Sequence, residues 1–315
     1  MNQTVEHDEK VPGRTVGFTI MTLVILLAAF QMSRESSLQQ MQGSDESKAN
    51  TQPLEGFRPA AWYLPDDELL GFVEVPAGPF VMGSNPALDP MAYENERWSN
   101  LRRQGSVDLP AFYVSRFEVT RAQFAMFTED SRFSTDDIDL AGAGDLPVTG
   151  ITWPEALAYG RWLEQRLRAS PQTPAEISAF LEGGAHVTLP NEAEWEKAAR
   201  GTDGRVFTWG PRPRNDLANF NGDALAGVGA IACAVCSYGL SDMAGNVWEL
   251  TRSPSQDYPY DPSDDATNLP EDALYVMRGG SYADVINNVR TAVRGAADPG
   301  VRNGTIGFRL VISTL

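Results

Sequence analysis

The chain has two cysteines, Cys233 and Cys236, and two histidines, His7 and His186. This scarcity excludes a disulfide-dense scaffold and a zinc site built from four Cys and His ligands. The C-x-x-C spacing is typical of a redox pair or a soft-metal site where it opens a helix, because the helix dipole lowers the thiol pKa. Here Ala-Cys-Ala-Val-Cys-Ser-Tyr-Gly contains no helix start. A local disulfide, or two small buried thiols, is therefore the favoured interpretation.

A second group of residues offers hard oxygen ligands. The pattern Asp242-x-x-Gly245-x-Val247-x-Glu249 supplies two carboxylates and the carbonyl groups of a glycine turn within eight residues. Calcium binds oxygen atoms of both kinds. The alternative is a loop in which Asp242 caps a turn and Glu249 is solvated, with no metal. Both interpretations stay open from the residues alone.

The composition limits the partners of these groups. The 315 residues carry 42 acidic and 25 basic side chains, a net charge of −17, and 42% of them are hydrophobic. Such a chain can build a sizeable core, whereas nucleic acids and anionic lipid headgroups would repel it. The 28 Gly and 21 Pro residues predict long ordered loops and modest regular structure.

The N-terminal part has the pattern of a membrane anchor. Residues 15–33 are uncharged and flanked by Arg14 and Arg34, which is long enough to span a bilayer. The alternatives are a cleaved signal sequence and a buried core helix. The flanking charges favour residues 1–14 in the cytoplasm, residues 34–65 as a flexible tether, and the remainder outside it. In a bacterium this chain would be anchored in the inner membrane with its main domain periplasmic, or free in the periplasm after cleavage.

Three capping boxes predict the helices that organise the rest. Thr120 with Gln123, Thr152 with Glu155, and Asn191 with Glu194 predict helices over about 120–129, 152–168 and 191–200. Alternating or turn-bounded apolar residues predict strands in 72–83 and 112–119, and closing strands after residues 275 and 307. Residues 209–240 and 254–272 are predicted to be loops.

Seven segments, in this order, resemble motifs of the formylglycine-generating-enzyme, or sulfatase-modifying factor, family. The segments are 75–83, 117–124, 147–153, 189–201, 238–249, 278–282 and 307–309. The resemblance implies one compact α+β domain over residues 66–315, related to C-type lectins, preceded by the N-terminal helix. It also implies little regular secondary structure, in agreement with the Gly and Pro content.

The resemblance also implies what chemistry is missing. Family members that generate formylglycine hold copper with two cysteines after the Gly-Gly-Ser motif, since Cu(I) prefers thiolates. In this chain those positions align with Asp284 and Val289, so we expect no copper and no formylglycine generation. A second catalytic branch, which makes sulfoxides for thiohistidine synthesis, uses an additional His-rich domain that this sequence does not contain.

The family's binding residues can be carried over by position. The resemblance assigns a calcium site to Asp242, Gly245, Val247 and Glu249, and a weaker second one to Asn219, Phe220 and Asp223. The arginines near the former active site either line a groove for a peptide or acidic ligand or pair with buried carboxylates and hold the closing strands. The predicted ligand-binding residues are Arg278, Ser281, Asp284, Arg290 and Arg294. Structural pairing is favoured for Arg278 and Arg309.

These features predict a membrane-tethered, extracytoplasmic domain that is non-catalytic and binds a protein partner of the bacterial envelope. By analogy with family members of this kind, the partner would belong to a regulatory system such as that of type VI secretion. The alternative is an enzyme of altered chemistry that uses Asp284, Tyr282 or Ser281 in the old groove. A third possibility is a structural envelope component that binds calcium for stability.

Overall fold

The computed structural model describes residues 54–99, 104–134, 138, 140–265 and 273–314. The predicted cytoplasmic segment 1–14, the predicted anchor 15–33 and the tether up to residue 53 lie outside these residues. No helix in the described part is long and apolar enough to cross a membrane.

Four helices form in the described part. They are α1 (Arg121–Ser131), α2 (Trp153–Ala169), α3 (Ala175–Glu182) and α4 (Glu192–Arg200). The three helices predicted from capping boxes are confirmed as α1, α2 and α4, and their capping hydrogen bonds are present. In α4, Asn191 N donates to Glu194 Oε2 at 2.8 Å and Glu194 N donates to Asn191 Oδ1 at 2.7 Å. Helix α3 was not predicted, since it follows Pro174 without a side-chain cap.

The strands in the described part are short. They are β1 (Phe57–Arg58), β2 (Leu64–Pro65), β3 (Phe72–Val75), β4 (Gly78–Met82), β5 (Gly105–Leu109), β6 (Phe112–Ser115), β7 (His186–Thr188), β8 (Trp248–Pro254), β9 (Tyr275–Arg278), β10 (Arg294–Ala297), β11 (Ile306–Gly307) and β12 (Val311–Ser313). Single turns of 3₁₀ helix lie at Pro59–Ala61, Glu94–Glu96, Ser237–Gly239, Pro262–Asp265 and Ile286–Asn288. The predicted strands after residues 72, 112, 275 and 307 are confirmed, and residues 209–236 contain no helix or strand, as predicted.

The strands pair in two larger sheets and two ribbons. One four-stranded sheet has the order β3-β6-β12-β7 and is antiparallel throughout. The other has the order β10-β9-β8-β11, in which β11 runs parallel to β8. The two strands of 72–83 do not pair with each other, because β3 joins β6 and β4 joins β5. This mixture of helices and sheets fits the predicted α+β class.

Helix α4 is fully buried within the described residues and positions the candidate site. All nine of its residues are buried, although five of them are charged. Such burial is tolerated only where each charge is paired. The apolar side of the helix packs through Trp195 and Ala199 with Phe80 and Val311. Its charged side meets arginines from β9 and β10, which brings these strands to the helix.

Candidate functional site

The loop after β9 holds Asp284 and Val289, near which the resemblance places the family's two copper-binding cysteines. Asp284 Oδ2 accepts hydrogen bonds from Trp248 Nε1 at 2.9 Å, Ser281 N at 2.9 Å and Ser281 Oγ at 2.7 Å. Its other oxygen, Oδ1, accepts from Asn288 Nδ2 at 2.7 Å. The carboxylate therefore organises the loop 281–288, and Ser281 itself is only 2% exposed.

Val289, at the second position, is an apolar core residue. It is 1% exposed and packs in a small cluster that includes Phe207, Trp209 and Cys236. The sulfur atoms of Cys233 and Cys236 form a disulfide, so the local-disulfide interpretation of the C-x-x-C pair is confirmed. The loop thus offers no pair of thiolates to a soft metal.

Arg278 is fully buried against α4. Its Nη2 bonds to Glu196 and donates to Thr291 O, and its Nη1 donates to Ala292 O at 3.0 Å and Val293 O at 2.7 Å. Glu192 lies 3.5 Å from the same guanidinium group. Every one of these contacts ties β9 to the helix or to the following chain, and no part of the side chain reaches the solvent. Arg278 therefore pairs with buried carboxylates and holds the closing strand, as favoured from the sequence, and does not line a ligand groove.

Arg290 links the chain that follows the loop 281–288 to the loop that contains Asp89 and Glu96. Its Nη1 donates to Asp89 Oδ2 at 2.6 Å and to Glu96 Oε2 at 2.8 Å, and its Nη2 donates to Glu96 Oε1 at 2.7 Å. The guanidinium group also lies 5.1 Å from the ring of Tyr93. No local sequence pattern predicts these partners, which lie about 200 residues earlier in the chain.

The other three arginines of the C-terminal part, Arg294, Arg302 and Arg309, are paired as well. Arg294 forms a two-pronged ion pair with Glu192 and lies 4.1 Å from the Tyr258 ring, and Arg302 forms one with Glu155. Arg309 bonds through Nε and Nη2 to the two oxygens of Glu249, at 2.6 Å each. The predicted ligand-binding set is therefore near the loop 281–288, but its arginines are engaged in holding the fold.

The predicted calcium residues lie beside a buried acidic cluster. Glu249 accepts from Trp195 Nε1 in addition to Arg309, so both of its oxygens are engaged. Burial raises the pKa of Asp242 to about 6, while a hydrogen bond from the Gly229 amide counteracts part of this rise. Burial also raises the pKa of Glu118 well above its ordinary value, and the charges of Asp242 and Glu249 add to the shift.

The two predicted calcium segments touch each other. Asn219 and Gly245 form a parallel bridge, and Asn246 N donates to Asn219 O at 2.8 Å. Gly245 has φ +79°, and a Cβ atom there would lie 2.1 Å from Asn219 O, so only glycine permits this approach. Phe220 packs beside Val289, and Asp223 is exposed. Among the described residues, no group of three or more Asp, Glu, His or Cys side chains converges to hold a metal ion.

Three exposed apolar side chains beside the loop 281–288 were not predicted from the sequence. Leu88, Tyr93 and Val285 are 69%, 43% and 53% exposed. Their two loops are fixed to each other, since Tyr93 Oη donates to Asn288 Oδ1 at 2.9 Å and Arg290 bonds to Asp89. Below we call Leu88, Tyr93 and Val285 the loop face. It lies on the two loops that these contacts join, beside the buried ion pairs of Arg290.

This fold and site define a member of a known class. Residues 62–314 match the sulfatase-modifying factor enzyme 1-like domain family, and the chain belongs to this family. It is 29% identical over 286 residues to a hercynine oxygenase of Mycolicibacterium smegmatis, covering 76% of this chain and 60% of that protein. It is 28% identical over 303 residues to a formylglycine-generating enzyme of Thermomonospora curvata, covering 80% and 96%.

The fold is also found in solved structures. The structure of PvdO from Pseudomonas aeruginosa superposes with a TM-score of 0.61 at 21% identity, covering 77% of this chain and 94% of that one. The chain spans between 45% and 60% of the length of the hercynine oxygenases that it matches. The family and the fold are thereby shown, and the named relatives include enzymes.

Proposed function

We propose that this chain is a non-catalytic member of the family that binds a protein partner of the bacterial envelope. One observation carries the proposal. The two positions that align with the copper-binding cysteines are Asp284, whose carboxylate accepts four hydrogen bonds, and Val289, which is buried in the core. The hydrogen bonds of Asp284 and the burial of Val289 thus hold the loop 281–288 in one conformation.

The loop face is the proposed contact surface. Exposed apolar side chains clustered on rigid loops are typical of protein-binding sites, because they lose little conformational freedom when covered. Leu88, Tyr93 and Val285 meet this description. The acidic composition suits a protein partner better than a nucleic acid or an anionic membrane surface.

Location forms part of the same proposal. The predicted tether 34–65 is too long, because residues 57–65 already form β1, a 3₁₀ turn and β2 with buried side chains. We infer that residues 15–33 anchor the chain in the inner membrane and that residues 34–53 let the domain reach its partner in the periplasm. A regulatory partner, such as a component of type VI secretion upstream of a transmembrane kinase, would fit this arrangement. The support is the uncharged 19-residue run and its flanking charges.

The test is site-specific crosslinking in cells. A photoreactive amino acid at Leu88 should capture an envelope protein repeatedly, whereas the same residue at Val81, which is 38% exposed on β4, should not. Val285→Asp should abolish the crosslink from position 88, because it places a charge in the apolar contact. Val81→Asp is the matched control and should leave the crosslink intact.

Two results would overturn the proposal. One is equal capture from positions 88 and 81, which would show that the loop face has no special affinity. The other is a crosslink from position 88 that survives Val285→Asp in a chain whose circular dichroism spectrum is unchanged. The substitution is at an exposed position, so a folding defect is not expected.

The enzymatic alternative has one geometric argument. Ser281 Oγ donates to Asp284 Oδ2 at 2.7 Å, a contact that could activate a hydroxyl group. However, Ser281 is 2% exposed, and Asp284 also accepts from Trp248 and Asn288. A Ser281→Ala variant that loses the phenotype of the gene while keeping the position-88 crosslink would favour this alternative over the binding module.

We also propose calcium as a stabilising ion beside Asp242. The support is charge, since Glu118, Asp242 and Glu249 are neighbours of a single counter-ion, Arg309. Glu249 fits poorly as a ligand because both of its oxygens bind Arg309, so Asp242 and backbone carbonyl groups of 242–247 would have to supply the oxygens. Millimolar calcium should raise the melting temperature relative to a chelator, and Asp242→Asn should remove the difference. An identical melting temperature in calcium and chelator would refute this proposal.

A further inference from the structure

A cavity of about 800 Å³ lies apart from the loop face. It is lined by α2, β7 and the chain that follows β8, and none of the predicted site residues belongs to its wall. Trp153, Leu157, Arg161 and Glu164 succeed one another at helical spacing, so α2 presents one continuous stripe to it. Small-molecule sites in proteins have volumes of this size.

One side of the cavity is apolar and aromatic. Trp153 stacks on Tyr275 with ring centroids 4.1 Å apart and an angle of 27° between the rings. Leu157, from α2, and Val187, from β7, extend this surface. The Trp153 indole already donates to Thr251 O at 2.9 Å, so its ring is held in place. A flat or extended apolar body can lie against such a wall.

The acidic groups of the cavity are already engaged or exposed. Glu164 accepts from Val187 N at 3.0 Å and Arg168 Nε at 2.8 Å, and it also contacts His186. Glu194 accepts from Asn191 N and from Arg252 Nη2. The remaining acid, Asp108, is exposed. Arg252 is thus paired with Glu194, whereas no carboxylate among the described residues pairs with Arg161.

Three hydrogen-bond donors in the wall have unused capacity. Arg161 is exposed and makes no hydrogen bond or ion pair within the part of the chain that the structure describes. The Tyr275 hydroxyl also has no hydrogen-bond partner among the described residues, although the residue is only 9% exposed. Arg252 Nε is buried without a partner in the described structure. Burial raises the pKa of Tyr275, so its hydroxyl keeps the proton that it can donate.

We propose that this cavity binds a small organic acid with an aromatic or extended apolar body. The body lies against Trp153, Leu157 and Tyr275, and the carboxylate binds Arg161, the cation of the α2 stripe. A carboxylate can accept hydrogen bonds from several of these donors at once, whereas a neutral group accepts fewer. It also forms a charge-assisted pair with Arg161. The site is independent of the loop face and of the protein partner proposed there.

The test compares an acid with its amide. Indole-3-acetate and indole-3-acetamide have the same ring, and only the first carries a charge. We expect isothermal titration of the full-length chain, in nanodiscs of zwitterionic lipid, to show about tenfold tighter binding of the acid. Empty nanodiscs measure the partition of each compound into lipid and provide the blank.

Two variants separate the charge from the wall. Arg161→Gln should weaken binding of the acid about tenfold and leave the amide unchanged, because the charge-assisted hydrogen bond is lost. Arg212→Gln, at an exposed arginine outside the cavity, should alter neither. Leu157→Trp should reduce binding of both compounds by filling the apolar part.

Three outcomes would overturn the proposal. These are no binding of the acid at millimolar concentration, equal binding of acid and amide, and an Arg161→Gln variant with wild-type affinity for the acid. The position-88 crosslink reports separately on the loop face. Loss of acid binding with an intact crosslink would therefore count against the cavity alone.

Discussion

The arginines behind the loop face and the arginine of the cavity wall have opposite surroundings. Arg278 and Arg290 are fully buried, and each lies between two carboxylates. Arg161 is exposed and has no ion-pair partner among the described residues. The three side chains have the same charge, yet the first two are part of the core and the third is available to a ligand.

The difference follows from the cost of burying charge. A guanidinium group taken out of water needs paired charges and hydrogen bonds, and a group so satisfied has nothing left for a ligand. An exposed arginine keeps its hydration and costs the fold little. Proximity to a family's active-site position is thus a weaker guide to ligand binding than an unsatisfied donor in a cavity wall.

Removing a buried arginine should have the largest effect. Arg278→Ala removes one of the two arginine partners of Glu196 and of Glu192, which keep Arg200 and Arg294, and it leaves three buried carbonyl groups without this donor. We expect the free energy of unfolding to fall by about 3–5 kcal/mol, measured by urea denaturation.

A double variant checks the reason for this loss. Arg278→Met combined with Glu196→Gln removes both charges of the pair, so it should recover part of the stability that the single variant loses. A single variant with the urea midpoint of the wild type would contradict the structural role of Arg278. It would make this arginine comparable to Arg161.

The next largest effect is expected at the loop itself. Asp284→Asn replaces one acceptor oxygen by a donor in a site where Trp248, Ser281 and Asn288 all donate. We expect a loss of about 1–3 kcal/mol in the free energy of unfolding. The exposed Asp223→Asn is the control and should change it by less than about 0.5 kcal/mol.

Stability and phenotype together decide what Asp284 does. If the carboxylate only organises the loop, the variant loses stability and its phenotype follows the loss of folded protein. A variant of wild-type stability that nevertheless loses the phenotype would favour the catalytic alternative. The loop 281–288 would then resemble the cavity wall, because its polar groups would serve a ligand and not only the fold.

Helix starts were predictable because their signals are local. Each predicted helix begins with an N-cap residue and a Gln or Glu partner three residues later. All three capping boxes are present, at Thr120, Thr152 and Asn191. Helix α3 lacks such a signal, since Pro174 offers no side-chain cap. The short strand β7 depends on pairing with β12 at the far end of the chain, which no local pattern encodes.

The candidate site was predictable only where residue identity decides the chemistry. The prediction that copper does not bind rests on residue identity, because Asp284 and Val289 cannot supply thiolates, and it stays a prediction. The ion pairs of Arg290 with Asp89 and Glu96 join residues about 200 positions apart. The cavity likewise combines residues from Asp108 to Thr314, so its shape depends on tertiary packing.

A smaller, pH-dependent effect is expected at Glu155, which combines a helix cap with an ion pair. Burial raises the pKa of Glu155, but hydrogen bonds from Arg302 and Thr152 outweigh it and leave the pKa below its ordinary value of 4.5. A carboxyl whose pKa is lower in the folded state contributes stability above the unfolded pKa. That contribution is lost as the pH falls through the folded pKa.

Glu155→Gln should therefore cost about 1 kcal/mol at pH 7 and less below pH 4.5, as measured by urea denaturation at both values. Glu129→Gln is the comparison, at an exposed glutamate near the end of α1. An equal cost of Glu155→Gln at both pH values would assign the loss to the geometry of the cap and would remove the contribution of Arg302.

The smallest effect on the free energy of unfolding is expected at Arg161. A small effect there would separate this arginine from Arg278, which the fold requires. Arg161→Ala removes a side chain without an ion pair or a hydrogen bond, so the free energy of unfolding should change by less than about 0.5 kcal/mol. The same substitution should weaken binding of indole-3-acetate. A loss of stability above 1 kcal/mol would show that the fold needs this arginine too. The distinction between a structural and a ligand-binding arginine would then fail, since both would serve the core.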